Sequence, residues 1–185
     1  AFLLQARPTR ASLVWRIAVA AGAVALLAGL FAVRTHEDPS LHAGCEVRRD
    51  HVATVVSFGE GRKKRMLVNG VGITELTDLT KVMAHLPLAV REKPPESTLV
   101  ICFGMGTTFR SLTTWGGRTT AVELVPSVPE AFGFYWHDAA EVKARPGAQI
   151  VVDDGRRFLR RTTERFDLIT LDPPPPVEAG GSSLL

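Results

Sequence analysis

The sequence predicts an α/β protein built on an open sheet with a ligand site along one edge, and three observations carry that reading. The apolar residues 99–102 turn through Phe103-Gly104-Met105-Gly106 into a polar, helix-compatible stretch, residues 107–114, as a strand, loop and helix do at a phosphate or cofactor turn. Three further strand-like runs, residues 120–124, 150–152 and 167–171, carry or end in acids: Glu123, then Asp153-Asp154-Gly155, then Asp172. In open α/β sheets ligands bind beyond the carboxyl ends of strands, so acids recurring there are informative. The chain has 185 residues, 45% hydrophobic and 22% charged, a composition of one or two globular domains rather than a disordered or fibrous chain.

From the amino-terminal side, residues 17–33 carry no charge, with Trp15 and Arg16 before them and Arg34 after. Counted with residues 13–15, the run approaches the roughly 20 residues that cross a thin bilayer. A transmembrane helix over about residues 12–34 is the first reading. A secretory signal region and a buried helix of a larger domain remain open, although no persuasive small-residue cleavage site follows. Arg7, Arg10 and Arg16 on one side face Arg34, Arg48 and Arg49 on the other, so charge leaves the orientation open.

After a polar link, residues 35–43, residues 51–58 are strand-like and residues 66–68 return, with Gly59-Glu60-Gly61 and the basic residues 62–65 as a hairpin tip. That tip is either a solvated hairpin end or a contact for anionic lipid. Asn69-Gly70 is a turn pair. Thr77 or Asp78 can cap a helix running to about Leu86, with Leu79, Val82, Met83 and Leu86 on one face. His85 lies on that helix with no histidine or cysteine at metal spacing, so a packed or surface role is expected and no metal. The proline-bearing residues 93–97 link into the sheet. The domains are thus residues 1–40, a membrane segment and link; 41–92, a small β-hairpin domain with a helix; and 93–185, part of a nucleoside-binding domain.

Glu123, at the end of the second strand of the sheet, is placed to accept both hydrogen bonds from a ribose diol. Cys45 and Cys102 fall in different elements, and a buried thiol is expected for Cys102 in its apolar strand. The net charge of +3 is scattered, which argues against nucleic-acid binding.

The order of hairpin domain, Met83-Ala84-His85-Leu86-Pro87-Leu88, Gly104-Met105-Gly106, Glu123, Asp154-Gly155 and Asp172 resembles spermidine synthase, the polyamine aminopropyltransferase family, over roughly residues 45–185. Residues 102–111 and Asp172-Pro173-Pro174-Pro175-Pro176 are most similar to the membrane-fused spermidine-synthase-like proteins of bacteria. The resemblance implies a class I methyltransferase-like Rossmann sheet, decarboxylated S-adenosylmethionine as cofactor, a small-molecule amine as acceptor and a possible homodimer. It also implies a bacterial inner membrane location with the carboxyl-terminal domain in the cytosol.

By the same resemblance, Gly104 and Gly106 let the backbone approach the nucleoside, Glu123 holds the ribose hydroxyls, and Asp154 beside Gly155 accepts from the adenine amino group. Asp172 aligns with the carboxylate that orients and deprotonates the attacking amine, which cannot act as a nucleophile while it is an ammonium. Glycines also serve tight turns without any ligand, and Asp153 ranks behind Asp154 as a solvent-facing acid. The chain departs from the family where Met105 replaces an aspartate, Leu79 and Thr80 replace a tyrosine and a glutamine, and Pro175 replaces a second carboxylate. Those departures fall on the polyamine half of the site. A methyltransferase using S-adenosylmethionine, and a non-catalytic module binding an adenosyl metabolite, are therefore the alternatives to aminopropyl transfer. Four strands of a seven-stranded family sheet are accounted for, so the chain reads as a fragment, inactive alone.

Overall fold

In the computed structural model, residues 10–32, 38, 42 and 44–171 are described, and the chain divides into two compact units between residues 35 and 36. The first unit holds α1 (Arg10–Ala32), rich in alanine and without acids or bases in its first and last turns other than Arg10. The transmembrane expectation is corrected: among the described residues no helix is long and apolar enough to cross a membrane. Arg16 lies inside α1 rather than flanking it. Its uncharged remainder from Ile17 to Ala32 reaches roughly 24 Å at about 1.5 Å per residue, against a hydrocarbon core of about 30 Å. The expected membrane partner and inner-membrane location fall with that helix.

The second unit opens with four antiparallel strands in sequence order: β1 (Glu46–Arg49), β2 (Thr54–Phe58), β3 (Arg65–Val68) and β4 (Val71–Glu75). Asn69 and Gly70, at φ 51° and 81°, join β3 to β4, the pair of left-handed residues that a two-residue hairpin turn requires. The expected hairpin is therefore the middle of a four-stranded meander. Its outer strands were hard to read because β1, Glu-Val-Arg-Arg, lacks an apolar alternation and β4 is interrupted by Gly72. The basic tip between β2 and β3 is largely solvated: Arg62 pairs with Asp78 at 2.6 Å on the surface, and only the half-buried Lys64 reaches in, its Nζ donating to the Phe134 carbonyl at 2.5 Å. Helix α2 (Leu79–Ala89) follows Asp78, whose carboxylate serves Arg62 and Lys81 instead of capping the helix.

The remaining strands, β5 (Ser97–Ile101), β6 (Arg118–Glu123), β7 (Ala148–Val152) and β8 (Leu168–Leu171), form a parallel sheet in the order β7-β6-β5-β8. Between them run α3 (Thr107–Leu112), the short α4 (Ser127–Glu130), α5 (Phe132–Tyr135) and α6 (Ala139–Ala144), then α7 (Gly155–Arg161). β5 is buried along its whole length, as a central strand covered on both faces must be. The chain steps outward from β5 through β6 to β7, then returns to the other side of β5. That reversal is the topological switch point where open α/β sheets bind ligands. The Rossmann-like α/β expectation holds, with observed strands within two residues of those expected.

One face of the parallel sheet packs through Phe109, Leu112 and Phe132 into a core that also contains Val55 and Met66 of the small sheet. The other face, Leu99, Ile101 and Val122, lies under Phe158 of α7. Asp50 links the small sheet to α4: its carboxylate accepts from the amides of Val52, Ala53 and Ser127 at 2.6, 2.9 and 2.7 Å. Burial pushes this acid up, but the hydrogen bonds from Ser127, Ala53 and Val52 outweigh it and hold Asp50 at about 2. The stabilisation belongs to the carboxylate, so it is fully present above the ordinary aspartate value near 4 and is lost as pH falls through about 2. Asp50→Asn is expected to cost about 2 kcal/mol at pH 7 and little at pH 2, read from urea unfolding midpoints at both pH values. A pH-independent loss would show that the loop depends on shape rather than charge.

Candidate active site

The loop leaving β5 is shaped by three left-handed residues in five: Cys102 at φ 72°, Gly104 at 53° and Gly106 at 76°. A cysteine in that region is unusual and carries backbone strain of order 1–3 kcal/mol, which persists only where surrounding structure enforces it. Here the Cys102 amide still donates to the Val122 carbonyl at 3.0 Å, continuing the β5 and β6 ladder one residue past the strand. The sequence placed Cys102 in the strand as a buried thiol. Instead it begins the loop, half-buried, on the wall of a cavity.

Glu123, the last residue of β6, holds this loop. Its Oε2 accepts from the Phe103 amide at 2.7 Å and its Oε1 from the Val125 amide at 3.0 Å, so one carboxylate ties together the turns after β5 and β6. Only 9% of Glu123 is exposed. Burial pushes its carboxyl above the ordinary glutamate value, while the amides of Val125 and Phe103 act in the opposite direction. The backbone amides of Leu124 and Gly104 also act on this carboxylate in the same lowering direction, so the loop amides surround it.

Beyond this loop lies a cavity of about 310 Å³ between the parallel sheet's carboxyl edge and the small sheet, within the size range of small-molecule sites. Glu123, Gly104 and Gly155 line it, together with Met105 and Thr80. A Cβ on Gly104 would find only the Thr74 methyl at 3.8 Å, so this backbone faces open space. Gly106 is different. A Cβ there would stand 2.4 Å from the Phe132 ring and 2.9 Å from Phe103, so its missing side chain makes room for the aromatic core. Gly155 opens α7 directly against Ile101, where a Cβ would meet the Ile101 side chain at 2.5 Å.

The aspartates after β7 are engaged locally. Asp154 is the N-cap of α7, accepting from the Arg157 amide at 2.7 Å, and it does not line the cavity. Asp153 accepts from the Asp154 amide and pairs with the Arg157 guanidinium, which holds its carboxyl below the usual range. It borders a separate groove with Thr120 and Arg161. Asp172 and Pro175 lie outside the described residues. The fold therefore brings Gly104, Glu123 and Gly155 together around one cavity and places Gly106 and Asp154 at its supports.

Sequence reasoning missed the cavity's far wall. Val52, Val68, Val71 and Ile73 come from the small sheet, and only the Asn69-Gly70 turn hinted that the chain doubles back there. Among the described residues no arginine or lysine lines the cavity, and Glu123 is its one acid. No group of three or more histidine, cysteine or acidic side chains able to hold a metal occurs among the described residues.

Comparison with known proteins gives consistent results. Residues 77–182 match the spermine/spermidine synthase domain. The chain is 28% identical over 145 residues to a polyamine aminopropyltransferase of Saccharolobus solfataricus, covering 73% of this chain and 46% of the relative. Against the corresponding protein of Thermococcus kodakarensis it is 31% identical over 129 residues, covering 64% and 44%. Among solved structures, a spermidine synthase in complex with the transition state analogue AdoDATO superposes with a TM-score of 0.61 at 21% identity, covering 71% of this chain and 47% of that one. The spermidine synthase of Thermotoga maritima gives 0.60 at 21% identity over the same shares, and both likenesses concern the fold. The chain spans about half the length of the curated relatives it matches. With more than half of its length matched to the domain, and with the switch-point cavity described above, the chain belongs to the spermine/spermidine synthase family.

Proposed function

We propose that the cavity binds the adenosyl part of decarboxylated S-adenosylmethionine and that the whole protein transfers its aminopropyl group to an amine. The observation that carries the reading is the pairing of buried Glu123 with the open backbone of Gly104 across a cavity that no basic side chain lines among the described residues. In this reading the Glu123 carboxylate faces the ribose hydroxyls, and the apolar walls suit the faces of a purine. The residues present thus fit an adenosyl group. When bound, the donor supplies a carbon activated by a positively charged sulfur, and the amine attacks that carbon. The neighbouring structure that holds AdoDATO supports the same class of ligand.

Absence of a lining cation separates the two sulfonium cofactors. S-adenosylmethionine would bring a carboxylate that finds no arginine or lysine among the described lining residues, and burying an unpaired charge is costly. The decarboxylated form removes that group. Asp154, as N-cap of α7, holds the loop beside Gly155, and in this reading its remaining acceptor capacity serves the adenine amino group. Asp172 would position the amine and take its proton, and Gly106 supports the loop from below.

Calorimetric titration of the chain with each cofactor tests the reading. The decarboxylated form is expected to bind at least about tenfold more tightly, a difference of about 1.4 kcal/mol. The opposite preference would transfer the case to methyl transfer. Binding of neither would remove both enzymatic readings and leave the fold as a binding module for something else.

A further inference from the structure

We propose that the groove between α7 and the outer strands of the parallel sheet binds a small hydroxylated phosphate ester, such as a sugar phosphate. This groove, about 320 Å³, shares no lining residue with the cavity at Gly104. Its floor carries Thr120 of β6 and Gln149 of β7, which are register partners and so stand side by side on one face of the sheet. Leu99, Ile101 and Val122 make the rest of that face apolar under Phe158. Thr120 breaks the pattern. It is 2% exposed, and its hydroxyl has no hydrogen-bond partner among the described residues. Buried polar atoms without partners are few in folded proteins, and valine has the same branched shape without the hydroxyl. A ligand hydroxyl that reaches the floor past the Gln149 side chain supplies the partner that the chain does not.

The rim fixes the charge of the ligand. Arg161 and Thr162, adjacent at the end of α7, both border the groove. The Thr162 hydroxyl accepts from the Glu164 amide at 3.2 Å, so its own proton is available to donate. Both acids of the lining are engaged by cations outside it: Asp153 pairs with Arg157, and Glu164 with Arg118 at 3.1 Å. Residues 153–165 hold five arginines against three acids, which leaves the local field positive. A guanidinium fork beside a hydroxyl suits a phosphate ester, whose three terminal oxygens accept from both. Phe158 offers its ring to the carbon skeleton between the two ends.

The experiment is calorimetric titration of the full chain with ribose 5-phosphate, ribose and inorganic phosphate. Ribose 5-phosphate is expected to bind at least about tenfold more tightly than ribose or phosphate alone, because only it reaches both the floor and the rim. Thr120→Val should weaken it at least about tenfold while leaving inorganic phosphate unchanged, and Thr120→Ser should keep the wild-type affinity. Arg161→Gln should weaken ribose 5-phosphate and inorganic phosphate together. Without ligand, Thr120→Val is expected to raise the melting temperature, because it removes a buried hydroxyl that has no partner. Failure of ribose 5-phosphate to bind, or wild-type affinity in Thr120→Val, overturns the proposal. So does a lower melting temperature for Thr120→Val, which would show the hydroxyl already satisfied by water.

Discussion

Gly106→Ala is expected to destabilise the chain by about 3 kcal/mol. Two costs add. An L side chain at φ 76° lies in the left-handed region, which costs roughly 1–2 kcal/mol. The new Cβ would also stand 2.4 Å from the Phe132 ring, and overpacking of this kind costs typically about 1–3 kcal/mol. Relief is hard to find because Phe132 is fully buried, edge-on to Phe103 and Phe109 with centroids 5.2 and 6.4 Å away. Gly104→Ala is the internal control. It sits at φ 53° but meets only the Thr74 methyl at 3.8 Å, so its cost is confined to the backbone, about 1 kcal/mol. Urea unfolding of the two variants beside the wild type reads the difference. Equal losses would mean that the aromatic cluster yields to the new methyl and that backbone conformation alone makes glycine necessary.

Glu123→Gln is expected to cost about 2 kcal/mol of stability at pH 7 and to weaken nucleoside binding at least about tenfold. A glutamine has one acceptor oxygen, whereas Phe103 and Val125 both present amide donors to the side chain. One amide is then left facing an NH₂ group, and an unsatisfied buried donor costs about 1–3 kcal/mol. Removing a buried carboxylate recovers part of that loss, because burial already disfavours its charged form. The same raised value sets the pH dependence. In the folded chain Glu123 holds its proton to higher pH than when unfolded, so its contribution to stability declines as pH climbs through the ordinary glutamate value and on through the folded one. Glutamine removes that decline. Unfolding curves collected from pH 4 upward, with calorimetry of the nucleoside at pH 7, check both parts. A variant as stable as wild type would show that water replaces the lost acceptor.

How much of this was readable in advance varies by element. The strands of the parallel sheet announced themselves because a strand buried on both faces is a short apolar run, as in Ser97–Ile101, and the glycines after it marked the turn. The membrane expectation was overturned because no helix among the described residues is long and apolar enough to cross a membrane, and Arg16, read as a flank, lies within α1. β1 was not legible, since Arg48 and Arg49 carry no strand pattern and gain their place by pairing with β2. Cys102 was read as strand because its neighbours are apolar and its amide still joins the ladder to Val122, and only its left-handed φ of 72° shows the chain already turning there.

Sequence by itself determined the α/β sheet and which strand ends carry glycines and acids, because those follow from local apolar runs, and the family through its resemblance to known motifs. Tertiary structure decided what each of those residues does. Two glycines in Gly104-Met105-Gly106 look alike in sequence, yet one faces the cavity and the other makes room for Phe132. Glu123 and Asp154 are both acids at strand ends, yet one is buried between two loops while the other caps α7. The wall opposite them comes from β4 and the turns of the small sheet, distant in the chain and carrying no motif. Such differences arise from contacts between segments far apart in sequence, and no local pattern encodes which partner a side chain will meet.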